Sequence, residues 1–204
     1  MDYKTEQEKF WAGNFGSEYI KRNKGDKWIA NNLVLFSKIL ARANSIDSIL
    51  ELGANIGLNL HAIHRLLPEA SITALEINKK AVNELKKFDY ITPIHSSILD
   101  FKASRKWDLV FTKGVLIHLN PEILPEVYDL MYKVSSKYLL ICEYYNPFPI
   151  EIPYRGYSGR LFKRDFAGEI MDRYTDLKLV EYGFVYHRDP NFPQDDLTWF
   201  LMEK

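Results

Sequence analysis

The segment Ile49-Leu50-Glu51-Leu52-Gly53-Ala54-Asn55-Ile56-Gly57 constrains this chain more than any other. A short apolar run meets two glycines, and an apolar-periodic stretch then continues to Leu67, where Pro68 stops it. Glycine takes positive φ without steric cost, so the pattern predicts a strand, a tight turn and a helix that opens on the turn. A strand that is apolar throughout must be covered on both faces, which calls for more units of the same kind. The sequence supplies them. Strands are predicted over 48–52, 71–77, 90–95, 107–112 and 137–144, with helices over 57–67, 78–87 and 121–136. Strands over 177–186 and 197–203 close the chain, after a helix near 162–173. This alternation predicts an α/β fold with a doubly wound, mostly parallel sheet of seven strands.

Two regions stand outside that rhythm. Residues 5–23 read as a helix interrupted at Gly13 and Gly16, with Trp11, Phe15 and Tyr19 at i, i+4 and i+8 on one face. Asp26 is the predicted N-cap of a longer helix reaching Ala43, with Trp28, Leu33, Phe36, Ile39 and Leu40 as its apolar stripe. The run from Tyr145 to Gly159 is rich in proline and glycine and reads as a long ordered loop, of the kind that carries function.

At 204 residues the chain fits one domain of ~100–200 residues. Within it, residues 1–45 form N-terminal helices, 46–145 a ligand-binding core, and 146–204 an acceptor loop with closing strands. Lys plus Arg and Asp plus Glu each number 27, so the net charge is zero. That balance argues against a nucleic-acid clamp and against a polybasic membrane binder. The single cysteine, Cys142, allows no intramolecular disulfide and no cysteine-based metal cluster, and reads as an inert core residue. With no signal-like apolar run and no stretch of ~20 apolar residues, the expectation is a cytoplasmic protein, a monomer or weak homodimer.

The glycine turn discriminates between two cofactor classes. A dinucleotide fingerprint, G-x-G-x-x-G, would need glycine where Asn55 and Leu58 stand. Read as E-x-G-x-(G/N)-x-G the segment fits throughout, with Asn55 able to adopt the left-handed region. That spacing suits S-adenosylmethionine, which carries no phosphate. Glu76, at the tip of the second strand beside Ile77, is placed for a carboxylate to take a ribose diol.

Taken together, Glu51 to Gly57, Glu76, Trp107-Asp108-Leu109-Val110-Phe111 and Val115-Leu116-Ile117-His118-Leu119 resemble the first, second and fourth motifs of class I S-adenosylmethionine-dependent methyltransferases. The amino end is similar to the opening of the methylases associated with pseudaminic acid biosynthesis. It carries Thr5-Glu6-Gln7-Glu8-Lys9-Phe10-Trp11-Ala12-Gly13, Phe15-Gly16, Tyr19-Ile20 and Arg22-Asn23. The resemblance implies a Rossmann-like methyltransferase sheet with a reversed final strand and an N-terminal helical lid. It also implies a small, acidic acceptor, a sugar or nucleotide-sugar of surface-glycan biosynthesis. A non-catalytic cofactor-binding or scaffold subunit of a glycan-assembly system is the alternative. In place of the superfamily's acidic residue after the third strand stands Ser97, so adenine would be held by its hydroxyl and the Ile98 backbone N–H.

Each candidate residue has a plain structural reading beside the functional one. Glu51 either caps backbone N–H groups of the turn or faces the amino group of the methionyl moiety. Trp11 and Tyr19 either pack on the core or fold over a cationic sulfonium, with Arg22 pairing the ligand carboxylate. His118 is either a general base or bonded within its loop, and Lys113 lines the pocket entrance. Tyr144, Tyr145 and Asn146 should form the acceptor wall, and a hydroxyl or amine acceptor gives Tyr145 a catalytic part. Arg155, Tyr157 and Arg160 lie in a run, 155–164, that has no acidic residue. The run is either a solvated basic surface or an anion-binding lip. The loop holding His187 and Gln194-Asp195-Asp196 reads as structural.

Overall fold

The structure, a computed structural model, describes residues 2–204. Its centre is a sheet of β1 (Ser48–Leu52), β2 (Ser71–Glu76), β3 (Ile91–His95), β4 (Trp107–Lys113), β5 (Ser135–Glu143), β8 (Lys178–Val185) and β9 (Leu197–Glu203). These seven strands lie in the order β3-β2-β1-β4-β5-β9-β8. The first five are parallel, and β9 runs antiparallel between β5 and β8. The last strand of the chain is therefore the reversed one. Strand order turns back between β1 and β4, and open α/β sheets leave a ligand crevice at such a switch point, beyond the strands' carboxyl ends.

Alternation along the strands divides the core in two. Ile49 of β1 and Leu140 of β5 face one side with Phe36, Ile39, Leu60 and Leu85, drawn from α3 (Asp26–Leu40), α4 (Leu58–Leu66) and α5 (Lys79–Leu85). Leu50 and Leu139, one residue away in each strand, face the other side. They pack there with Val127, Met131, Phe166 and Ile170 from α6 (Leu124–Val134) and α7 (Phe166–Arg173). This is the period-two pattern of strands covered by helices on both faces. No helix among the described residues is long and apolar enough to cross a membrane.

The structure departs from the sequence expectation at four places. Asp26 is not the N-cap of α3: Gly25 is, at φ 115°, and Asp26 begins the first turn, where its charge complements the helix dipole. The helix also ends at Leu40 rather than Ala43. The helix expected from residue 121 starts as a 3-10 turn, Pro121–Ile123, because Asn120 accepts the Glu122 N–H and Pro121 has no N–H to give. The long loop is partly built: β6 (Ile150–Glu151) pairs antiparallel with β7 (Phe162–Lys163), so α7 begins only at Phe166, capped by Asp165.

The amino end forms two short helices, α1 (Glu6–Ala12) and α2 (Asn14–Arg22), separated at Gly13. Thr5 and Glu8 make a reciprocal capping box that starts α1. The Asn78 amide does two things at once. Its oxygen caps α5 at Lys80 and Ala81, while its nitrogen donates to the carbonyls of Trp11, Ala12 and Gly13 at 3.0–3.3 Å. Only glycine fits at position 16, since a Cβ there would lie 1.9 Å from the Trp11 carbonyl oxygen. Gly16→Ala should therefore unseat α2 from α1 without touching the sheet. Hydrogen exchange should show amides of residues 6–22 exchanging about tenfold faster or more, with the strand amides unchanged.

Candidate functional site

At the carboxyl ends of β1, β2 and β4, roofed by α1 and α2, lies a cleft with about 1400 Å³ of empty space, its open mouth included. Its floor is the glycine turn. Gly53 has φ 79°, and a Cβ there would meet the Val115 side chain at 2.7 Å, so only glycine allows the turn to lie against the loop after β4. Asn55 follows at φ 48°, with its side-chain oxygen buried and without a partner.

Glu76 closes the turn from β2. Its two carboxylate oxygens accept the Asn55 N–H at 2.7 Å and the Asn78 N–H at 2.6 Å. Burial raises its pKa, and these bonds oppose that shift. Each carboxylate oxygen keeps a lone pair for a further donor, and the residue lines the cleft. Ile77, Ile98 and Leu99 form an apolar slot beside it. Ser97 lines the same slot, and its hydroxyl donates to Glu8, whose other oxygen accepts the Lys4 and Thr5 N–H groups at 2.7 and 2.9 Å. Lys4 reaches over to Asp100 at 2.7 Å, and Gln7 Nε2 donates to the Gly159 carbonyl at 2.9 Å. These contacts fix the roof to both sides of the cleft.

His118 lies on the 3-10 turn after β4 and is 8% exposed. Its Nδ1 is 2.6 Å from the Arg160 carbonyl oxygen, which can only accept, so Nδ1 carries the hydrogen and Nε2 the lone pair. Burial pushes its pKa down to about 4, leaving it neutral and a weak base. The Trp11 ring lies 4.6 Å from the imidazole, with its indole N–H buried and unpartnered. The turn itself is held by Glu143 at the end of β5, which accepts N–H bonds from Val115, Leu116 and Ile117. Burial raises Glu143 to about 7.

Of the residues singled out in the sequence, Trp11, Tyr19, Gly53, Asn55, Glu76, Ile77, Ser97, Ile98, Lys113 and His118 line this one cleft. Glu51 does not. It is fully buried behind the turn, where it bonds neither backbone N–H groups nor the cleft; Asn59 Nδ2 donates to one oxygen at 2.6 Å and the other has no partner. Gly57 abuts Leu85 behind the turn, and Arg22 lies over the Phe15 ring. Tyr144, Tyr145, Asn146, Arg155, Tyr157 and Arg160 lie outside the cleft lining. Two members of the basic run are paired in space. Arg164 pairs with Glu169 at 2.7 Å, and Arg160 lies over the Phe10 ring and 3.9 Å from Glu6. Glu6 comes from α1, and Glu169 lies just past the run on α7.

The structure adds lining residues that the sequence reading missed: Glu8, Trp28, Asn32 and Asp195. Glu8 had a signal, the Thr5-x-x-Glu8 capping box, which marks a helix start but not what the carboxylate faces. Trp28 and Asn32 sit one turn apart on α3, and Asp195 comes from the β8–β9 loop that read as structural.

No protein-family model matches the chain, and no curated protein matches it by sequence. Its fold is similar to solved methyltransferase structures. One is the plantazolicin methyltransferase BpumL in complex with a pentazolic desmethylPZN analog and SAH, at 14% identity, TM-score 0.67, over 97% of this chain and 94% of that one. Another is the N-methyltransferase NodS from Bradyrhizobium japonicum WM9, at 14% identity, TM-score 0.65, over 87% and 96%. A third is the glycopeptide N-methyltransferase MtfA complexed with sinefungin, at 11% identity, TM-score 0.62, over 84% and 85%. The chain has the Rossmann-like methyltransferase fold.

Burial raises Glu51 to about 8, far above the ordinary value of 4.5, so it holds its proton in the folded protein at neutral pH. A raised folded pKa adds stability that is complete below the unfolded value and lost as pH rises through the folded one. His118 works in the opposite sense but only at lower pH, while Glu143, raised to about 7, and Glu76, also raised, act in the same sense. Between pH 7 and 8 the Glu51 share is therefore the part of the loss that differs between the wild type and Glu51→Gln. Urea unfolding over that unit should show this share as a loss on the order of 1 kcal/mol that Glu51→Gln abolishes, since the amide oxygen still accepts from Asn59.

Proposed function

We propose that this chain is an S-adenosylmethionine-dependent methyltransferase and that the cleft is its active site. The observation that carries the reading is Glu76, held at the end of β2 by two backbone N–H groups within the cleft formed by the Gly53 turn and the isoleucine slot. A carboxylate so fixed suits a ribose diol, and a flat apolar slot beside it suits a purine. The two buried orphan atoms at the cleft, Asn55 Oδ1 and the Trp11 indole N–H, leave one acceptor and one donor for a polar ligand. Lys113 is the one Lys or Arg among the described lining residues, so the cleft lacks the multiple cations of a diphosphate grip. Solved complexes of BpumL with SAH and of MtfA with sinefungin support the same cofactor class.

S-adenosylmethionine supplies a methyl group already activated on sulfur. The chain's own part is then to bind, orient and exclude water. Glu76 and the slot of Ile77 and Ile98 bind the nucleoside, with Ser97 and Glu8 closing the slot from the roof. The Trp11 and Tyr19 rings present aromatic faces suited to a sulfonium. His118, neutral with a free Nε2 lone pair, serves as a hydrogen-bond acceptor that orients the acceptor group rather than as a strong base. The acidic sugar implied by the amino-terminal resemblance fits less well, because the basic residues meant to hold it lie outside the cleft.

Titration calorimetry with S-adenosylhomocysteine and with NAD tests the reading. S-adenosylhomocysteine should bind and NAD should not; tight NAD binding with no response to the former overturns it. Glu76→Ala should lose about 100-fold in affinity, corresponding to about 3 kcal/mol for a bidentate charge-assisted contact, while Arg155→Ala leaves it unchanged. Thermal melting of both variants without ligand separates lost binding from lost folding.

A further inference from the structure

The β8–β9 loop carries three consecutive polar residues, and two of them are committed within the chain. Gln194 is buried and donates to the Asn31 carbonyl at 2.9 Å, while Asn31 Nδ2 donates back to the Pro193 carbonyl at 2.6 Å. This double clasp ties the loop to α3. Asp196 accepts from His187 at 2.8 Å. Asp195, between them, lines the cleft and has no ion-pair partner among the described residues. The clasp thus delivers one carboxylate to the cleft wall formed by α3.

That wall is prepared for a polar, positively charged group. Trp28 and Asn32 sit at i and i+4 on α3 and both line the cleft. Asn32 is 4% exposed, and its side-chain amide bonds to no other described residue and faces the cleft. Its oxygen is therefore free to accept from a ligand. The Asp195 carboxylate lies within hydrogen-bond reach of the Tyr144 hydroxyl and close to the Tyr19 phenol, and adds to the rise that burial gives both; it keeps further lone pairs for a ligand.

The charge balance points the same way. The lining holds Glu8, Glu76 and Asp195 against Lys113. Glu8 and Glu76 are taken up by Ser97 and by backbone N–H groups, and Lys113 faces the buried Glu51 from β4. Asp195 differs from both acids in taking no backbone N–H, and no cation pairs with it. An anionic acceptor would be repelled there, and a cation would be held.

We infer that the α3 side of the cleft binds the methyl acceptor through a protonated amine, with Asp195 as counter-ion, Asn32 Oδ1 as hydrogen-bond acceptor and the Trp28 and Tyr19 rings as its walls. This rests on the methyltransferase reading of the same cleft. For transfer, the ammonium releases one proton to water at the mouth, where Asp195 is exposed. The nitrogen lone pair then forms the new bond to the methyl carbon as the carbon–sulfur bond breaks. The electron pair of that bond stays on sulfur, and the positive charge passes to nitrogen.

Calorimetry on protein saturated with S-adenosylhomocysteine tests this, using 2-phenylethylamine and its carboxylate counterpart 3-phenylpropionate as probes. The amine should bind at least about tenfold tighter than the acid. Asp195→Asn should weaken the amine about tenfold and leave S-adenosylhomocysteine affinity unchanged, and Asp196→Asn should change neither. Equal or tighter binding of the acid, binding of neither probe, or an amine affinity indifferent to Asp195→Asn overturns the proposal. So does a parallel loss of S-adenosylhomocysteine affinity, which would assign Asp195 to that molecule's own ammonium. Failure of the wild-type protein to bind S-adenosylhomocysteine at all overturns the methyltransferase reading beneath it.

Discussion

The Glu76 carboxylate is the point on which the architecture of the cleft depends. A carboxylate at 7% exposure carries a large desolvation cost, offset only where its oxygens are well bonded. Here each oxygen takes a backbone N–H from a different element, Asn55 in the glycine turn and Asn78 at the start of α5. One charged group thus fixes the distance between the turn after β1 and the end of β2. Because Asn78 also binds the last carbonyls of α1, the same group sets where the roof sits. Floor, wall and roof are joined through two residues that are two positions apart.

The roof is held differently from the core. The sheet is held by two continuous apolar layers, whereas α1 and α2 are held by single polar contacts and a cluster of rings around Trp11. Individual hydrogen bonds contribute about 1 kcal/mol each, and exposed ion pairs less. Such an attachment separates at lower free energy than the sheet. The split at Gly13 adds to this, since α1 and α2 are two short helices rather than one.

What was legible in the sequence follows from the range of each interaction. Periodicity and glycine spacing report local geometry, so the strands, the turn at Gly53 to Gly57 and the seven-stranded sheet could be read directly. Glu76 was also readable, because its place at a strand tip follows from the same pattern. Glu51 shows the limit of that logic: it occupies a motif position, yet it lies outside the cleft lining and accepts from Asn59. Asp195 and Glu8 escaped for a related reason. Their roles depend on which distant element they meet, α3 for one and the segment after β3 for the other, and no local pattern encodes that.

The arginines of residues 155–164 make the converse point, and bear directly on chemistry. A charge run in sequence is an electrostatic site only where it stays uncompensated in space, and Glu6 and Glu169 meet two of its members, Arg160 and Arg164. The net charge of zero is likewise a sum over the whole chain and describes no single site. What a ligand meets in the cleft is the small set of charges on its lining: Lys113 beside a buried carboxyl, the hydrogen-bonded Glu8 and Glu76, and Asp195 beside α3. Of these, only Asp195 is exposed to solvent, where water screens it. A count of charges along the chain gives no warning of which positions reach the cleft.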